Sequence, residues 1–222
     1  MTKNNQPDDS RYDSLVQPID SIGRFTECSQ EELLQSESEV MGGTIFKRVG
    51  RGAYRRGTKI LKVEDLSLIA GKTTPVQSTN VSGDFRSLLT MPCMGGYRRI
   101  INGEYIEVSS GDVHLDFNNF GTKTRTYSSF VIVAVDENRL DRHMRAMTNK
   151  KGMEGFQKSM IWKDNDSSEI RGRAGMMWSL IRFIDQLHKE NKYLPTALGL
   201  SEQFYRALTI SILKSTGAIE KA

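Results

Sequence analysis

Cysteine is almost missing from this chain of 222 residues: only Cys28 and Cys93 occur. Two are too few for a disulfide framework or a cysteine zinc site, and a reducing compartment is expected. Long apolar runs are missing too. The longest, Phe130 to Val135, falls far short of the roughly 20 residues that span a bilayer. The N-terminus lacks a hydrophobic signal region, so membrane contact is expected only peripherally or through a partner. Histidine is scarce: His114, His143 and His188 show no metal-ligand spacing, and no His-Glu-x-x-His occurs. Gly-x-Ser-x-Gly, the Walker phosphate loop and Gly-x-Gly-x-x-Gly are all absent. These absences remove the locally encoded hydrolase, nucleotide and zinc-protease classes. An active site assembled from distant residues, such as a polar pocket near His114 and Asp116 or a carboxylate pair among Asp112, Asp116 and Asp136, escapes such a search. The expectation is a protein without cofactor, metal or enzymatic activity.

What the chain does have is charge sorted along its length. Residues 1–41 carry three bases against nine acids, whereas residues 42–62 carry seven bases and no acid. The seven are Lys47, Arg48, Arg51, Arg55, Arg56, Lys59 and Lys62, interleaved with glycines and with Phe46 and Tyr54. A dense cationic segment attracts phosphates of nucleic acid or lipid by its field alone. The two aromatics fit stacking on bases or seating at a lipid interface. Arg98 and Arg99, after Tyr97, extend the expected polyanion surface. A solvated strand pair whose cations guard a sheet edge is the competing explanation. Tyr12-Asp-Ser-Leu15 has the Tyr-x-x-Leu form read by trafficking machinery.

The pattern divides the chain into a disordered acidic arm, 1–41, with one short helix from Gln30 to Ser36, and a single α+β domain, 42–222. Residues 42–135 are expected to be mainly β and 136–222 mainly α. Thr44 to Val49, Thr58 to Val63 and Leu66 to Ala70 read as strands, Lys72 to Ser82 as a loop, and Asp84 to Thr90 as a short helix. Tyr105 to Val108, Asp112 to Phe117 and Tyr127 to Val135 read as an antiparallel meander. In its second strand Val113, Leu115 and Phe117 share one face, and His114 with Asp116 share a solvated other. The third is apolar on both faces, hence central. Helices follow from Asp136 to Thr148, from Arg173 to Lys189, and from a Ser201 cap to Gly217. Residues 152–168 fit no pattern. The fold class expected is thus an antiparallel sheet core followed by two or three amphipathic C-terminal helices. Ten methionines suit adaptable packing and self-association.

This layout of polar arm, basic block, β core and helical end resembles viral matrix proteins of the rhabdovirus type, plant-infecting members included. The Pro-Pro-x-Tyr budding motif of many animal-virus relatives does not occur. The resemblance implies a structural virion protein in host cytoplasm or nucleus. It would form homo-oligomers and bridge a viral nucleocapsid or RNA to an anionic membrane surface through Lys47 to Lys62. Two alternatives stand beside it: a viral movement or coat protein binding single-stranded RNA, and a small cytosolic enzyme with a dispersed site.

Overall fold

Between Thr44 and Val135 segments that alternate apolar and polar residues recur, with Val, Ile or Thr in each of them, so the backbone extends and pairs. The computed structural model describes residues 10–21, 44–49, 54–80, 87–101, 104–117, 121–148, 159–164 and 168–217. Its strands are β1 (Thr44–Arg48), β2 (Arg56–Val63), β3 (Leu66–Thr73), β4 (Val76–Asn80), β5 (Ser87–Met94), β6 (Gly96–Ile101), β7 (Glu104–Ser109), β8 (Val113–Asp116), β9 (Gly121–Arg125), β10 (Ser128–Val135) and β11 (Met160–Trp162). The helices are α1 (Ser10–Asp13), α2 (Glu137–Thr148), α3 (Ser168–Glu190), α4 (Leu194–Ala197) and α5 (Leu200–Ser215). All pairings are antiparallel. One sheet has five strands in the order β1-β4-β9-β6-β7, the other six in the order β11-β8-β5-β10-β3-β2.

The expected α+β layout, one sheet core behind a disordered arm, is therefore corrected to a β-rich, two-sheet architecture with helices at its C-terminal end. The extra strands come from segments read as loops or helix. Lys72 to Ser82 holds the end of β3 and all of β4, the gap between the second and third meander strands holds β9, and β11 lies in the stretch that fitted no pattern. Ser87 to Thr90 is strand, not helix. Threonine and serine mark loops by composition, yet Thr is a good strand former where one face is covered. The meander is corrected as well: β7 pairs with β6, while β8 and β10 both flank β5 in the other sheet.

The chain changes sheets at Gly95, the single residue between β5 and β6. Its φ is +68°, and an added Cβ would stand 2.1 Å from the Tyr127 carbonyl oxygen, so only glycine fits the corner. Pro92 is tolerated inside β5 because the register with β10 slips there, from Ser129 opposite Met94 to Phe130 opposite Pro92.

The six-stranded sheet buries both faces. One carries Leu61, Leu68, Leu89, Leu115, Val131 and Val133, which pack with Met177 and Ile181 of α3 and Phe204 and Leu208 of α5. Each such side chain contributes about 2 kcal/mol on burial. The other face turns toward the five-stranded sheet, with Ile69, Leu88, Phe130 and Ile132 as a small apolar cluster. Helix α2 is capped by Asp136, whose Oδ1 accepts the Arg139 N–H at 3.0 Å. Arg139 then ties the layers together. Its guanidinium pairs with Asp65 in the β2–β3 turn, donates to Ser201 at 2.9 Å and Glu202 at 3.0 Å, and covers the Tyr205 ring at 4.6 Å. Ser201 is thus not the cap of α5: that position is Gly199, at φ +61°.

Part of the arm is docked rather than disordered. Tyr12, Leu15 and Ile19 are buried, which also removes Tyr12 and Leu15 from any exposed trafficking motif. The Tyr12 ring lies under Arg55 at 4.3 Å and Lys72 at 4.5 Å, and Asp13 pairs with Arg55 at 2.9 Å. Farther on, the Asp185 carboxylate accepts the N–H groups of Asp20 and Ser21 at 3.0 and 2.9 Å. The expected helix from Gln30 to Ser36 lies outside the described residues.

Candidate functional site

Strand alternation sends every second residue of the five-stranded sheet toward its partner. Two rows cross it in register: Val76, Arg125, Tyr97 and Val108 form one, Ser78, Lys123, Arg99 and Ile106 the other. From the six-stranded sheet His114 and Asp116 of β8 and Arg56 of β2 face the same layer. Tyr97, Arg99, His114, Asp116, Lys123, Arg125 and Arg56 are all at most 5% exposed. The face of β8 expected to be solvated is therefore roofed by the second sheet. Alternation reports that a face is polar, not whether something covers it.

Across the gap the groups interlock. Asp116 pairs with Arg99, lies 3.3 Å from the Lys123 ammonium and accepts the Ser159 hydroxyl at 3.1 Å. The Arg125 guanidinium lies over the Tyr97 ring at 4.9 Å and over Phe130 at 4.5 Å, and Arg56 covers Phe130 at 5.4 Å. Tyr97 and His114 share a hydrogen bond between the phenol oxygen and Nδ1. Burial pushes the Tyr97 pKa up, and burial plus the nearby Lys123 pushes His114 down to about 3. Both are therefore neutral at pH 7. The Nε2 atom of His114 is buried and has no hydrogen-bond partner; in the tautomer in which the Tyr97 O–H donates to Nδ1, it carries the imidazole proton. Burial also draws Lys123 down to about 8, against the raising pull of Asp116.

The cationic residues expected to form one surface are divided. Arg56 and Arg99 enter the layer between the sheets, Arg55 is held by Asp13, and Lys47 and Lys62 are exposed on β1 and β2. Arg98 is exposed and pairs with Glu107 at 3.5 Å. Arg48, Tyr54 and Lys59 are half-buried, Phe46 is placed on β1 opposite Ser78, and Arg51 lies outside the described residues. Lys123, Arg125 and Tyr97 were missed as a group. Their signal is three pairs spaced by two, Tyr97/Arg99, His114/Asp116 and Lys123/Arg125, which register brings together. Among the described residues no cluster of three His, Cys, Asp or Glu is placed to hold a metal, and no helix is long and apolar enough to cross a membrane.

No protein-family model and no curated protein matches the sequence. A solved structure shares its fold. The AraC-like transcriptional activator CuxR superposes with a TM-score of 0.60 at 7% identity, covering 82% of this chain and 65% of that one. An apo ToxT variant from Vibrio cholerae (TM-score 0.42, 11% identity, 78% and 60% covered) and KdgF from a Halomonas species (0.31, 15%, 42% and 89%) are more distant. The chain thus spans slightly under two thirds of the length of the activator it resembles. The likeness is one of fold alone. This fold overturns the expected matrix-type virion protein, as does the dispersal of the basic segment.

Proposed function

We propose that this chain is a non-catalytic ligand-binding module whose two sheets enclose a small organic anion. One observation carries the reading: the buried Nε2 of His114 has no hydrogen-bond partner, in a layer that also holds the cationic side chains of Arg99, Lys123 and Arg125. In the tautomer in which Tyr97 donates to Nδ1, that nitrogen is a donor. A buried donor without an acceptor is costly, and a carboxylate or phosphate oxygen is the acceptor that Arg99, Lys123 and Arg125 also favour. These cations are already positioned by Asp116, Tyr97 and Phe130, so they need little reorganisation when an anion arrives. The fold likeness to an AraC-like transcriptional activator supports a sensing rather than a catalytic role, with the helix layer as the part that reads occupancy.

Isothermal titration of the full chain with citrate, succinate and inorganic phosphate tests this. Saturable binding of at least one, weakened about tenfold by His114→Phe, is the expected result. Identical affinity in the variant, or no binding to any of the three, rejects the reading.

A further inference from the structure

We propose a second small-molecule site outside the sandwich, in the cleft between α3 and the docked arm, that takes a free amino acid with an apolar side chain. It is independent of the anion reading above. The cleft holds about 480 Å3. Helix α3 presents two faces: Ala174, Met177, Ile181 and Ile184 enter the core, whereas Gly175, Trp178 and Arg182 line the cleft.

Each lining residue has a fixed place. Trp178 donates its indole N–H to the Gly111 carbonyl at 3.0 Å, which anchors the ring at the β7–β8 turn. The exposed Arg182 guanidinium lies 5.9 Å from the centre of that ring. Asp164, whose backbone N–H donates to Asp112 Oδ1 at 3.0 Å, packs against Gly111, the residue whose carbonyl accepts the indole N–H. Above Gly175 the space is open: a Cβ there meets nothing within 4 Å. The arm closes one side with Val16, whose N–H donates to Met94 Sδ at 3.2 Å.

A cation, an anion and an aromatic face around one cleft complement a zwitterion with an apolar side chain. The ligand carboxylate meets Arg182 in bidentate fashion, the ammonium meets Asp164, and the side chain lies on Trp178 and Val16. The Cys93 thiol also borders the cleft, but burial raises its pKa to about 12, so it adds no nucleophile. A ligand here touches both arm and helix, and its binding holds the arm down.

The test is titration of the full chain with leucine, read by tryptophan fluorescence and calorimetry, beside isocaproate (carboxylate only) and isoamylamine (ammonium only). Leucine is expected to bind with a Kd on the order of 1 mM or tighter. Both analogues, and the variants Arg182→Met and Asp164→Asn, should bind at least about tenfold more weakly. Gly175→Leu fills the open space and should abolish binding while circular dichroism stays unchanged. Equal binding of isocaproate, undiminished binding in Gly175→Leu, or no saturable signal with leucine overturns the proposal.

Discussion

The Asp116 carboxylate lies 3.3 Å from the Lys123 ammonium, across the gap between two sheets and out of reach of water. Despite that partner, the lysine holds its proton less firmly than in solution, because burial outweighs the pull of the carboxylate. Its pKa of about 8 lies below the 10.5 of the unfolded chain. Between these values the unfolded state binds more protons, so stability contributed by this site rises with pH. Urea unfolding from pH 8 to 10.5 should show that rise in the native protein and lose it in Lys123→Met. A slope of the same size in the variant assigns the effect elsewhere.

His114 gives the acidic counterpart. Its folded pKa of about 3 lies below the 6.5 of a free imidazole. Above pH 6.5 neither state is protonated and the contribution is complete; as pH falls toward 3 only the unfolded chain takes up the proton, and stability drains away. Unfolding curves recorded through this range should be measurably flatter for His114→Gln than for the native protein.

At the sheet-switching corner, Gly95→Ala combines a left-handed backbone with a Cβ 2.1 Å from the Tyr127 carbonyl oxygen. Backbone cannot yield as a side-chain tip can. A loss of about 2 to 3 kcal/mol is expected. Alanine at Gly175, on an open helix surface, should by contrast be neutral or stabilising by up to about 1 kcal/mol. Thermal unfolding of the two variants side by side settles the contrast.

Tyr12→Ala removes the ring that Arg55 and Lys72 cover, in a residue wholly inaccessible to solvent. A destabilisation of about 3 kcal/mol is expected. Faster proteolytic cleavage between Tyr12 and Ser21 should accompany it. An unchanged midpoint would show that the arm rests on the domain without stabilising it.

Much of the secondary structure could be read from the chain. Strand β10 announced itself as an unbroken apolar run that ends up between β5 and β3, and α2, α3 and α5 by apolar residues three and four apart. Strands β4 and β9 were hidden because Thr, Ser, Lys and Gln compose them, and their coverage comes from partners far along the chain. The sheet order was illegible for a related reason. Nothing in β7, β8 and β10 says that consecutive strands belong to different sheets; that follows from Gly95 and from pairings over long separations. The candidate site suffered most. Arg56 and Lys62 look alike in a run of seven bases and share one face of β2, yet the first is buried and the second exposed, because coverage fades along that face from one end of the strand to the other. His114 and Asp116 could be placed on a polar face of β8, while the lid over that face, Tyr97, Arg99 and Lys123, is contributed by another sheet altogether.

Helices α3 and α5 pack on the six-stranded sheet. Any slippage between the sheets caused by an occupant therefore reaches the helical layer through β8, β5 and β10, whose opposite faces carry His114, Ile132 and Leu115 back to back. These three strands, with the second sheet against one side and the helices against the other, act as the diaphragm of the molecule: what presses on one surface must be felt on the other.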